Sequence, residues 1–262
     1  MLVVTVCSFL LADTAMAEQD VRHTLSYPQH REQYFLVRSE FPVEAAVTEV
    51  IMPNWAPGSY RIREFAANVD KISAVSARGQ DLVVNKISKD RWRIGTEGVS
   101  TLIVDYEVFT PDLTVNSSWA SRSFSLVNGT SVFLYTEASR SLPQSVSIEA
   151  GSERGGLFTA MPEANDGPGF IAANYDELVD SPIAVAAAPA YQFELHGQGY
   201  VFVNVGENNF WDGQKAAGDV EKIVRETQSF WRVNPLRRPY WFLNFAVEGR
   251  GGLEHDYSTV IM

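Results

Sequence analysis

The 262-residue chain has one cysteine and four histidines, and each scarcity removes a class of chemistry. Cys7 lies inside an apolar N-terminal run, so a mature chain starting beyond that run has neither disulfides nor thiol chemistry. The histidines are His23, His30, His196 and His255, and no two of them stand four residues apart. A His-Glu-x-x-His zinc clamp needs that spacing to put both imidazoles on one helix face, so it is absent. There is no Gly-x-Ser-x-Gly elbow, because Gly129-Thr130-Ser131 does not continue it. Gly249-Arg250-Gly251-Gly252 lacks the strand-to-helix setting of a phosphate loop. The sequence therefore predicts no catalytic residue and no metal ligand of its own. Positive charge is also scarce: 21 Lys and Arg face 32 Asp and Glu, for a net charge of -11. Nucleic-acid affinity rests on cations that neutralise phosphates, so no nucleic-acid partner is expected.

Hydrophobic runs are short. Leu2–Ala12 cannot span a bilayer, which takes about 20 apolar residues. With Ala15-Met16-Ala17 behind it, the run reads as a signal peptide over residues 1–17, and the mature chain starts near Glu18. That predicts a secreted or periplasmic protein with no membrane association after cleavage. The n-region is atypical, since no Lys or Arg precedes the run, and a buried N-terminal strand is the alternative reading.

What the chain does have is core material: 45% hydrophobic residues, with 15 Phe, 10 Tyr and 6 Trp. Up to about Ala173 it reads as short strands separated by turns: Val21–Tyr27, Gln33–Ser39, Ala46–Met52, Asp81–Ile87, Thr101–Thr110, Ser131–Thr136 and Ser145–Ala150. Alternation is clearest in Leu102–Val108, and the regular spacing points to an antiparallel sandwich or saddle over residues 18–180. Pro162–Gly169 is a loop by composition, and Tyr175–Val179 a short helical turn broken by Asp180-Ser181-Pro182. Residues 181–262 read differently. Strands Tyr191–His196 and Tyr200–Val205 join through Gly197-Gln198-Gly199. A long helix follows from Asp212 to about Val233, with Val220, Ile223, Val224, Thr227 and Trp231 on its apolar face and Asn234-Pro235 ending it. Tyr240–Val247 is apolar almost throughout, as in a strand buried on both faces.

Two stretches exceed structural need. Met52–Phe65 ends a strand, makes a Pro-Gly turn and then offers aromatics and two arginines; a tight turn with core aromatics would look the same. Gly249–His255 follows the buried strand, and its glycines let another backbone come close while Glu254 and His255 face it. A glycine-rich loop with solvated charges is the plainer account.

Together with Tyr175–Pro182, these stretches resemble the glycyl aminopeptidase family of zinc metallopeptidases. Met52–Phe65 is similar to that family's N-terminal domain signature, and Tyr175–Pro182 to its link into the catalytic domain. Gly251-Gly252-Leu253-Glu254-His255, with Ser258-Thr259 after it, is similar to its substrate-strand motif. The resemblance implies a mainly β fold: a β-sandwich or saddle N-terminal domain, then an incomplete α+β thermolysin-like segment with one long helix, 181–262 being the start of a truncated catalytic domain. It implies zinc in the complete enzyme, none in this chain, and a peptide substrate with a free N-terminal amine. Related gluzincin aminopeptidases use a Gly-x-Met-Glu-Asn strand to pair with substrate backbone, its Glu holding the α-amine. By analogy Gly251, Gly252, Glu254 and His255 are the substrate-binding residues, with Gly252 allowing strand pairing and Glu254 meeting the amine. Arg250 stands where the family often has glycine. The functional expectation is the front part of a secreted aminopeptidase, inactive alone; the alternative is a stand-alone, non-catalytic peptide- or partner-binding β-sandwich protein.

Overall fold

The protein is represented by a computed structural model that describes residues 20–165, 167–206, 211–232 and 237–262. The signal-peptide reading, and the helix stop at Asn234-Pro235, lie outside the described residues.

Seven strands make the first sheet: β1 (Val21–Ser26), β2 (Tyr34–Pro42), β4 (Val69–Ser76), β5 (Asp81–Leu82), β8 (Thr101–Phe109), β11 (Gln144–Glu149) and β13 (Phe170–Ala172). Their order is β13-β11-β1-β2-β8-β4-β5, antiparallel except for the β1–β11 pair. Alternation decides which face is inside. Phe35, Val37 and Phe41 of β2 and Leu102, Val104, Tyr106 and Val108 of β8 are buried. The opposite face carries ion pairs, including Arg38 with Asp105 at 2.8 Å and Lys71 with Glu107 at 3.0 Å. A three-stranded sheet, β3 (Val47–Ile51), β7 (Arg91–Gly95) and β6 (Val84–Lys86), closes the same core with Val50, Trp92 and Ile94. The predicted strand Asp81–Ile87 is thus split: Asp81–Leu82 pairs with β4 and Val84–Lys86 with β7, with exposed Val83 at the crossover.

A chain of polar groups runs through this core. His23 Nδ1 lies 2.8 Å from Ser39 Oγ and Nε2 3.2 Å from Gln144 Oε1. Ser39 Oγ in turn lies 3.3 Å from Tyr106 Oη, which donates to the Val132 carbonyl at 2.8 Å and accepts from Leu134 N–H at 3.1 Å. Burial holds His23 neutral, with its pKa down to about 4. These bonds correct one expectation: Ser131–Thr136 is not a strand. A 3₁₀ turn ends at Ser131, and only Tyr135 bridges to Ile51. Val132 and Phe133 N–H donate to Gly129 O at 3.2 and 2.9 Å, while Val132 O and Leu134 N–H bond the Tyr106 hydroxyl and Phe133 O accepts from that of Tyr175 at 2.7 Å.

A second core lies between two further sheets. One contains β9 (Trp119–Ala120), β10 (Phe124–Val127), β12 (Gly156–Phe158) and β14 (Ile183–Ala186), in the order β12-β14-β10-β9. The other contains β15 (Ala190–Leu195), β16 (Gln198–Val205), β17 (Tyr240–Phe245), β18 (Gly252–Glu254) and β19 (Ser258–Ile261), in the order β15-β16-β17-β19-β18. Leu126, Ala184 and Ala186 pack against Val203, Leu243, Phe245, Leu253 and Val260. The β15–β16 turn is the two-residue loop His196-Gly197, both with positive φ, as a tight hairpin turn demands. Gln198 and Gly199, expected in the turn, are paired in the ladder.

Helix α1 (Tyr175–Val179) stands where the sequence puts a helical turn, and α2 (Gly213–Trp231) is the long helix, capped by Asp212 Oδ1 accepting from Lys215 N–H at 2.9 Å. Its inward face is the expected one only in part: Val220 and Val224 are half-buried, on the same stripe as Gly213, Ala217 and Gln228. Gly213 and Ala217 are buried and Gln228 donates to Tyr200 Oη at 2.6 Å, whereas Ile223 and Trp231 are 65% and 67% exposed and Thr227 is also exposed. The small residues let the helix sit low on β15 and β16, and that rotation turns the Ile223 side outward.

Candidate functional site

The three stretches singled out in the sequence, far apart along the chain, meet at one cleft of ≈ 740 Å³. Its walls include Pro57, Gly58, Asp180, Glu254, His255 and Asp256.

Asp180 is placed by α1. Asn174 caps that helix by accepting from Glu177 N–H at 2.9 Å, and Glu177 reaches back to Ala173 N–H at 2.7 Å. Buried Tyr175, Leu178 and Val179 anchor it to the first core, and Pro182 stops it from continuing. The Asp180 carboxylate then spans two neighbours. Its Oδ1 accepts from His255 Nδ1–H at 2.8 Å and its Oδ2 from Asp256 N–H at 2.9 Å. Both bonds grip the turn joining β18 to β19, which His255 N–H closes onto Ser258 O at 2.8 Å. Behind it Tyr240 Oη donates to Ser258 O at 2.8 Å; burial, and then the charges of Glu254 and Asp180, push its pKa up to about 12. Arg238 sits 3.8 Å over the Tyr257 ring and is held by Glu177 at 2.5 Å, so it too ties α1 to this turn.

The second wall is a Pro-Gly turn. Ser59 N–H donates to Ala56 O at 3.0 Å, with Gly58 at φ +78 in the third position, where only a residue free of Cβ fits easily. A Cβ on Gly58 would lie 2.8 Å from Leu253 Cδ1 and 3.1 Å from Glu254 O. The turn is therefore in van der Waals contact with the end of β18.

β18 is an edge strand. Gly251 and Met262 exchange both backbone bonds, at 3.1 and 3.0 Å, and His255 bonds Ser258, so the antiparallel alternation turns the N–H and C=O of Gly252 and Glu254 away from β19. Leu253 is buried between them. The four predicted site residues thus divide. Gly252 and Glu254 are exposed on the free edge, and a Cβ on Gly252 would meet nothing nearer than Glu254 Oε1 at 3.8 Å. Gly251, at φ +144, turns the chain into β18 past Val115. His255 is buried, with its Nδ1 on Asp180 rather than on the free edge. Asp180 and the Pro57–Gly58 turn were visible in the sequence only as a helix breaker and a turn; nothing local says that they meet Glu254. Among the described residues no three His, Cys, Asp or Glu side chains converge, so they offer no donor set that fits a zinc ion.

The family model "Peptidase M61 N-terminal domain" matches residues 22–187. An aminopeptidase N family protein from Idiomarina loihiensis superposes with a TM-score of 0.84 at 30% identity, over 92% of this chain and 42% of its own. An M1 zinc metallopeptidase from Deinococcus radiodurans, bound to a Tyr-Ser-Ala substrate, matches with a TM-score of 0.55 over 93% of this chain and 60% of its own. At 13% identity that second likeness shows the fold alone. The chain spans less than half of the Idiomarina protein. A search of curated proteins gave no significant match. The mainly β architecture, the order of the three motifs and the family model agree: the chain belongs to the M61 peptidase family, carrying its N-terminal domain.

Proposed function

We propose that this chain supplies the β domain and the substrate-binding strand of a secreted zinc aminopeptidase, and that the zinc-binding motif is not among these 262 residues. The observation that carries the reading is the free edge of β18 beside Glu254. The outward N–H and C=O of Gly252 suit pairing with a peptide backbone, and Gly252 leaves room for it. The exposed Glu254 carboxylate, at the rim of the cleft, suits a charge-assisted bond to an N-terminal ammonium. His255 acts from behind, through Asp180, to hold the strand's end in place. The Tyr-Ser-Ala substrate of the Deinococcus protein is consistent with a peptide ligand on this fold. Zinc enters only with the complete enzyme, where it would activate the attacking water. A stand-alone peptide-binding protein is the second reading, favoured by the free edge needing no metal to bind a peptide.

Metal content and hydrolysis of aminoacyl amides, measured on residues 18–262 and on a version extended to the natural stop codon, separate the two. The proposal expects the short form to carry no zinc and to be silent, and the extended form to be active with one zinc per chain. Stoichiometric metal and turnover in the short form would overturn it. An extension that adds no His-Glu-x-x-His would leave the stand-alone reading.

A further inference from the structure

The free edge of β18 is short, and what ends it comes from the other side of the molecule. Of the outward groups on this strand, the Glu254 carbonyl is the one against which the Pro57–Gly58 turn is pressed. That turn is not a loose flap. Ala56 behind it is fully buried, as is Met52; Ser59 N–H closes it onto Ala56 O at 3.0 Å, and Arg63 N–H donates to Asn54 O at 2.6 Å to close the loop around it. Gly58 is held by its backbone conformation at φ +78 and by contact with buried Leu253, so backing away would open a gap in the second core.

We infer that the Pro57–Gly58 turn is a backbone stop, which closes the edge of β18 at Glu254 so that a chain terminus can pair there but an interior stretch of polypeptide cannot. This rests on the reading of β18 as a peptide-binding strand. A strand hydrogen-bonded to Gly252 runs out of free edge at the Glu254 carbonyl and meets the turn. The carboxylates of Glu254 and Asp256, exposed on either side of buried His255, decide which terminus is accepted. An ammonium is attracted there and a terminal carboxylate is repelled. Selection for a free N-terminus is then set twice, by charge at Glu254 and by shape at Pro57–Gly58.

Charge and shape separate in a series built on one tripeptide: the free amine, the des-amino analogue, the N-acetyl form and the N-acetylglycyl form. Titration calorimetry is run on residues 18–262, wild type and Glu254→Gln, a change at an exposed side chain. For wild type, the des-amino analogue is expected to bind about tenfold more weakly than the free amine, through loss of a charge-assisted bond. The two acylated forms are expected to bind at least about tenfold more weakly again, because they add chain where the turn stands. In Glu254→Gln the free and des-amino forms converge to within about twofold, while the acylated forms stay at least about tenfold behind the des-amino form. Acylated forms that match the des-amino analogue in both proteins would overturn the stop while leaving the strand reading intact. Failure of every member to bind would remove the strand reading, and the stop with it.

Discussion

The seven-stranded and five-stranded sheets were built by different rules, and the difference explains what each region does. In the first, β2 and β8 bury one face and leave ion pairs on the other, so burial alternates residue by residue along them. In the second, β16 and β17 run parallel between other strands with the second core on one side, α2 lies against β15 and reaches Tyr200 of β16, and the residues of β16 and β17 are mostly apolar. The one-faced sheet needs a polar network, His23 to Tyr106, to organise its interior. The two-faced sheet spends its outermost strand, β18, on a free edge. The first region therefore holds the buried polar network, and the second carries the exposed backbone of the proposed site.

The contrast can be broken first at the core. Phe41→Ala in β2 is expected to cost about 4 kcal/mol of folding stability, as truncation of a fully buried aromatic does, whereas Ile223→Ala on the outward face of α2 should stay within about 0.5 kcal/mol. Urea denaturation reads both, and a large loss at Ile223 would mean that this face is covered in solution.

Acid should act on the first region through His23. Its folded pKa of about 4 lies below the unfolded value of 6.5, so the unfolded chain binds more protons between those limits. Stability therefore falls as pH drops below 6.5, by about 3 kcal/mol at pH 4, and this contribution levels off within about one unit below that. Unfolding curves for wild type and His23→Asn across that window test it: the variant should lose this slope, and parallel curves would move its origin to the carboxylates.

A smaller loss than at Phe41 or His23 is expected at the seam. Asp180→Ala removes both bonds that grip the β18–β19 turn and should cost about 2 kcal/mol, because the buried His255 Nδ1 is left unpaired. Hydrogen exchange should quicken at Asp256 N–H and along β18 while β2 and β8 keep their protection. Uniform quickening would show that the two regions unfold as one unit.

Much of the first region was legible because alternation along a half-buried strand needs no knowledge of the partner; Val21–Ser26 and Thr101–Phe109 read almost to the residue. Strand β4 was not legible, since its exposure is irregular and Lys71 at φ +48 marks a bulge against β8. Ser131–Thr136 looked like a strand because its side chains are mostly apolar, yet its first N–H groups bond the local carbonyls of Asn128 and Gly129, and its next backbone groups bond tyrosine hydroxyls remote in sequence. In α2 the periodicity was right and the face was right in part: Val220 and Val224 are half-buried while Ile223, Thr227 and Trp231 are exposed, because helical spacing says that a face is buried and only the sheet beneath says which.

The same division holds for the site. Residue types and their local order determined the mainly β class, the turn at Pro57–Gly58, the helical turn of α1 and its stop, and a glycine-rich stretch ending in Glu254 and His255, because each follows from backbone conformation or side-chain chemistry within a few residues; that this stretch is a strand came from the family resemblance. Only the tertiary structure decided that Asp180 grips the turn after Glu254, that His255 faces inward, and that Gly58 rests on the end of β18. Those contacts join residues from 75 to about 200 positions apart, and such distances are set by how two cores pack rather than by local preference.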